Sequence, residues 1–157
     1  MVNYLVSVIV FLVLISGCAA PGKMVSVEKV KGDNVICILL KESRFKDRIV
    51  DNLTKSLSGK GYEVITDRRK NANFYKSSDY GAVVYMTDYW AWHTPWNAKR
   101  YYHNNNGVDN VIFVITSGNP KVTIQKPFDA VTSASDFDDV ERVTQEITGR
   151  LDTILRK

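Results

Sequence analysis

The chain has 157 residues, 45% hydrophobic, 24% charged and 11% aromatic, with 21 Lys+Arg against 17 Asp+Glu, a formal charge of +4 and two cysteines. This composition excludes collagen-like, disordered and disulfide-stapled classes and suggests a single globular domain. A chain of this size buries roughly two-thirds of its unfolded surface, enough for one core without metals or disulfides.

Residues 4–15 are an apolar run with no charge. At roughly 1.5 Å per residue the run falls short of a ~30 Å hydrocarbon core and fits the apolar stretch of a secretory signal. Ile15-Ser16-Gly17-Cys18-Ala19 comes next. It resembles the bacterial lipobox, in which a branched apolar residue and two small residues precede a cysteine that is acylated after cleavage. The resemblance implies a signal peptide over residues 1–17, a lipid-carrying Cys18 (diacylglyceryl, palmitate) and an extracytoplasmic, membrane-anchored location in the cell envelope. Met1-Val2-Asn3 has no Lys or Arg, so the alternative is an uncleaved apolar tail with an incidental cysteine.

Residues 18–33 then read as a tether, with Pro21, Gly22 and Gly32 and an excess of lysine, in which residues 24–27 could add an edge strand. Residues 34–40 are a continuous apolar run, the pattern of a strand covered on both faces. Cys37 lies inside it and reads as a small buried hydrophobe. Phe45, Ile49, Val50, Leu53 and Leu57 follow at helical spacing, with Ser43 as N-cap and Gly59 and Gly61 as stop signals. Residues 62–66 are a second strand, so the chain opens as β-α-β with a crossover that favours parallel pairing.

Residues 67–79 are polar and read as a loop with at most one helical turn, and residues 81–86 return to the buried-strand pattern. The densest aromatic cluster, residues 88–96 with Trp90, Trp92 and Trp96, comes next. Pro95 suits the first turn of a helix through residues 97–103. Residues 111–115 are a fourth strand, and residues 121–126, where Val122 and Ile124 alternate with polar residues, are the expected fifth. Phe137, Val140, Val143, Ile147, Leu151, Ile154 and Leu155 form one stripe of a final helix with acids crowding its start.

The order of these elements is similar to that of flavodoxin-like domains. Residues 78–84 before the third strand, 90–95 after it, and 111–118 across the fourth strand and its loop carry the resemblance. It implies an α/β fold over residues 34–157: a three-layer, doubly wound, five-stranded parallel sheet in the order 2-1-3-4-5. The ligand crevice of such a sheet lies beyond the carboxyl ends of strands 1, 3 and 4. In flavodoxins the first of these loops is rich in Thr, Ser and Gly and holds the FMN phosphate at a helix N-terminus. Here Ser43 alone remains, with Arg44 and Lys46 to add positive charge. Trp90 and Trp92 stand where a flavin ring would stack, with covering of the sheet and helix ends as the alternative. Thr116, Ser117 and Gly118 make the third loop.

A second resemblance is local. Asp129-Ala130-Val131-Thr132-Ser133-Ala134-Ser135 is similar to the motif at which secreted redox proteins carry FMN on a phosphoester, with Ser135 as acceptor; Ser133 replaces the motif's glycine. Ser135 is equally an N-cap for the last helix. His93 and His103 have no cysteine or carboxylate near them in ligand spacing, and no metal is expected. The segment from Asp129 to Lys157 is net acidic, and neither nucleic-acid binding nor a hydrolase site is supported. Two readings result: a cofactor-free binding or assembly module of the envelope, more in keeping with a non-enzyme, or an FMN-binding electron-transfer protein. The partner would be an envelope protein in the first case and a redox protein in the second.

Overall fold

The computed structural model describes residues 30–89, 95–107, 109–118 and 129–156. The signal and Cys18, residues 24–27, Trp90, Trp92, His93 and the expected strand at 121–126 lie outside the described residues.

Five strands form one parallel sheet: β1 (Gly32–Leu40), β2 (Glu63–Arg68), β3 (Tyr80–Asp88), β4 (Val111–Thr116) and β5 (Ala130–Ser133). Their order is β2-β1-β3-β4-β5, the expected doubly wound arrangement. The three central strands read as continuous apolar runs because both of their faces are covered. On one face Ile36, Ile38, Val84 and Met86 pack with Phe45, Ile49, Leu53 and Leu57 of α1 (Arg44–Ser58) and Val143, Ile147 and Leu151 of α3 (Val140–Leu155). On the other, Cys37, Leu39, Tyr85 and Phe113 pack with Ala98 and Tyr101 of α2 (Trp96–Asn104) and with Ala72 and Tyr75. Cys37 has no exposed surface, as its neighbours in sequence implied.

The strand that closes the sheet is Ala130–Ser133, with Val114 paired to Val131 and Ile115 to Thr132. It gave little sequence signal because only Val131 on it is strongly apolar and fully buried. The motif ending at Ser135 is therefore partly strand. Asp136, not Ser135, is the capping residue: its carboxylate accepts from the Asp138 N–H at 3.2 Å, opening a 3₁₀ turn (Phe137–Asp139) that leads into α3. Ser135 sits one residue earlier with φ +64°.

Other boundaries moved for similar local reasons. β1 starts at Gly32, two residues inside the expected tether, because Gly32 pairs with Tyr80 before a register shift reaches Ile36. The expected loop after β2 winds into two 3₁₀ turns, Arg69–Phe74 and Ser77–Asp79. Pro95 is the N-cap of α2 rather than part of its first turn. No helix among the described residues is long and apolar enough to cross a membrane.

Candidate functional site

Parallel strands place all their carboxyl ends on one edge, so Lys41, Asp88 and Thr116 converge although they are far apart in sequence. The turn from β1 into α1 is only three residues, Lys41-Glu42-Ser43. Ser43 caps the helix, its hydroxyl accepting from the Lys46 N–H at 3.3 Å while its carbonyl accepts from the Asp47 N–H at 2.8 Å. Arg44, the first helical residue, is exposed.

Lys46 turns inward from the first turn of α1 and is 1% exposed. Its ammonium donates to Asp88 Oδ1, at the end of β3. Lys41 reaches the other oxygen of the same carboxylate, Nζ to Oδ2, at 2.6 Å. The Thr116 hydroxyl lies 3.2 Å from Asp88 Oδ1 and completes the cluster from β4. Burial alone would raise the Asp88 pKa, but the two ammonium donors outweigh it and hold the carboxyl below its ordinary value. Burial lowers the Lys46 pKa, and the Asp88 carboxylate offsets only part of that.

Ser117 and Gly118 continue from β4 along the same edge, the Ser117 N–H donating to the Ser133 carbonyl of β5 at 2.8 Å. Thr116 is 3% exposed and Ser117 8%, whereas the side-chain direction at Gly118 is open space. Ser135 is exposed beyond the end of β5, its N–H held by the Ser133 hydroxyl at 3.1 Å. Asp129, which begins that motif, pairs with Arg150 of α3 at 3.0 Å. Of the expected site residues, Ser43, Arg44, Thr116, Ser117 and Gly118 share the edge around Asp88, and Ser135 lies toward the far side at the edge strand. His103 is exposed on α2 with its ring edge-on to Tyr102. Among the described residues no group of three or more His, Cys, Asp or Glu is placed to hold a metal ion.

Sequence reasoning noticed Lys46 only as added charge and missed its pairing with Asp88. One signal was available: Lys46 lies three residues before Ile49 and seven before Leu53, on the apolar stripe itself. A lysine there must either leave the stripe or find a carboxylate inside it.

Comparison with solved structures gives similar folds at very low sequence identity. The flavodiiron core of Flv1 from Synechocystis sp. PCC6803 aligns with TM-score 0.50 and 10% identity over 78% of this chain and 36% of that one. The flavodiiron protein of Giardia intestinalis aligns with TM-score 0.49 and 10% identity over 80% and 38%. An archaeal flavodoxin aligns with TM-score 0.49 and 8% identity over 76% and 97%. The fold is flavodoxin-like. The chain spans less than two-fifths of the length of the two flavodiiron chains. No protein-family model matches the sequence, and no curated protein matches it.

A flavodoxin-like fold implies FMN, and the phosphate end of that cofactor is testable on the donors present. The α1 N-terminus has Glu42, Asp47 and Asp88 near it as well as Lys41, Arg44 and Lys46, and Glu42 and Asp88 are paired with Arg68 and with the two lysines. Lys46, the buried cation here, is already engaged by Asp88, which Lys41 also reaches. The Ser43 hydroxyl and the Lys46 N–H satisfy each other. The buried ammonium and the cap hydroxyl are thus engaged within the fold, and Arg44 is the exposed cation left beside them.

Proposed function

We propose that this flavodoxin-like domain works as a cofactor-free binding or assembly module of the cell envelope, held at the membrane by an acylated Cys18. The observation that carries the reading is the Lys46–Asp88 pair, which places a buried, already engaged ion pair at the loop where flavodoxins hold a phosphate. The anchor rests on the lipobox-like residues Ile15 to Cys18.

The test is the visible absorption spectrum of the full-length chain purified from its own membrane, measured as isolated and after incubation with FMN. The expected spectra have no flavin band. Mass spectrometry of the same sample reads Cys18: an acylated N-terminal cysteine supports the anchor, and an intact N-terminus overturns it.

A second reading, FMN-binding electron transfer, is favoured by one observation: the hydroxyl of Ser135 is exposed at the carboxyl edge of β5. A flavin carried there would not require the α1 phosphate site. A band that survives denaturation and disappears in Ser135→Ala would establish this reading. A band lost on denaturation and weakened in Trp90→Ala would instead assign non-covalent FMN.

A further inference from the structure

We propose that the cleft between the carboxyl ends of β1 and β2 is an anion site for a phosphate-bearing ligand, with Arg69 and Lys70 as its principal donors. The site adjoins the α1 N-terminus and shares Lys41 and Glu42 with its turn, but its principal donors come from the end of β2; it depends on neither the flavin question nor Cys18.

The cleft has a volume of about 220 Å³ and is lined by Leu40, Lys41, Glu42, Arg68, Arg69 and Lys70. Its charge comes from two distant pieces of sequence. Leu40 pairs with Arg68 in the parallel register, so the chain leaves both strands side by side and brings Lys41 against Arg68-Arg69-Lys70. Four bases face one acid.

The neighbouring carboxylates engage two of these bases and leave Arg69 and Lys70. Glu42 pairs with Arg68 at 2.9 Å, and Asp88 with Lys41. Arg69 is half-buried and donates to the Thr87 hydroxyl, a neutral partner that orients the guanidinium without cancelling its charge. Among the described residues no carboxylate pairs with Arg69 or Lys70. Asp67, the nearest acid in sequence, accepts from Asn71 and Tyr75.

A guanidinium already held in one orientation loses less side-chain freedom on binding, and its planar fork matches the oxygens of a phosphate. The lysine beside it adds a point charge on a flexible stem. Size narrows the ligand further: the cavity lies below the roughly 300–1,000 Å³ usual for pockets that enclose drug-sized molecules. A phosphate group or a lipid phosphate headgroup fits the volume; a flavin ring system does not.

The experiment uses the full-length chain in a non-ionic detergent at fixed ionic strength. Pyrophosphate is titrated calorimetrically, and in a second arm the micelles are doped with phosphatidylglycerol and binding is followed through the Arg69 and Lys70 amide resonances. Three variants accompany the wild type: Arg69→Gln/Lys70→Gln, Lys70→Gln alone, and Arg48→Gln/Lys55→Gln, which removes the same charge from the exposed face of α1. Saturable binding is expected in at least one arm. It should weaken about tenfold or more in the cleft double variant, as loss of a charge-assisted fork requires, and by less than about twofold in the α1 variant. Lys70→Gln alone should fall between, and keeps the result readable if loss of the Arg69–Thr87 contact unfolds the double variant. Pyrophosphate binding in neutral micelles assigns a soluble phosphate; binding only to doped micelles assigns a lipid headgroup. No saturable binding in either arm, or equal weakening by the α1 variant, overturns the proposal.

Discussion

Lys46 of α1 and Asp88 of β3, 42 residues apart, meet at the carboxyl edge of the sheet with the lysine almost wholly buried and the aspartate one-third exposed. The asymmetry matters energetically. Asp88 keeps Lys41 as a second partner, whereas Lys46 has Asp88 as its carboxylate.

Asp88→Asn should therefore cost more stability than Lys46→Met. Removing the carboxylate strands a buried ammonium, and such losses run to about 3–5 kcal/mol, reduced here to about 2–3 because Asp88 is partly solvated. Lys46→Met leaves Asp88 paired with Lys41 and puts an apolar chain of similar length on the stripe, so a change within about 1 kcal/mol is expected. Urea denaturation of both variants checks the order, and a larger loss for Lys46→Met would contradict it.

The same pair sets part of the acid limit. Asp88 is held below its ordinary value by Lys41 and Lys46 against the effect of burial, and Asp139 is lowered chiefly by the Arg142 guanidinium. A carboxyl lowered in the fold stabilises it fully above the unfolded value of about 3.9 and loses that contribution as pH falls through the folded value. Stability should thus decline below about pH 4, and the decline should be shallower in Asp88→Asn. A denaturation series from pH 6 to pH 2 measures it.

At high pH the tyrosines act in the opposite sense. Burial pushes Tyr80 and Tyr85 up to about 12, while an unfolded tyrosine ionises near 10. The folded state then keeps protons that the unfolded chain has lost, so stability falls between about pH 10 and pH 12. Tyr85→Phe should flatten that fall. Lys46, lowered by burial, contributes an opposing rise below about pH 10.4, so the comparison is cleanest above that point.

Gly81→Ala tests the contact between β3 and β1. A Cβ at Gly81 would stand 1.9 Å from the backbone oxygen of Asp33, so the strand backbones would have to separate where the register shift already lies. A loss of about 2–4 kcal/mol is expected, at the upper end for overpacking because backbone cannot rotate away as a side chain can. Thermal unfolding of the variant gives the measure. Gly118→Ala, on the crevice edge with open space at that position, is the control and should change stability by less than about 0.5 kcal/mol.

Local pattern carried most of the fold. Continuous apolar strands, the stripe from Phe45 to Leu57 and the stripe from Val140 to Leu155 act through nearest neighbours and periodicity, so the order of elements and the parallel pairing of the opening β-α-β unit were legible without coordinates, while the strand order came from the resemblance to flavodoxin-like domains. The fifth strand was not, because an edge strand needs only one buried apolar side chain, and Val131 supplies it without alternation. The site was half-legible for the same reason. Ser43 announces itself as a cap three residues ahead of the N–H it satisfies, whereas nothing within α1 says that Lys46 will turn inward.

By itself the sequence determined four of the five strands, the two helices that cover one face, the capped start of α1 and the charge of the Arg68-Arg69-Lys70 segment. Only the tertiary structure decided where those charges act. Lys46 is buried because a carboxylate from a strand 42 residues away meets it, and Lys41 joins Arg69 and Lys70 in one cleft because β1 and β2 run parallel and end together. Coulomb forces depend on distance through space, and parallel pairing makes neighbours of strand ends that the chain separates.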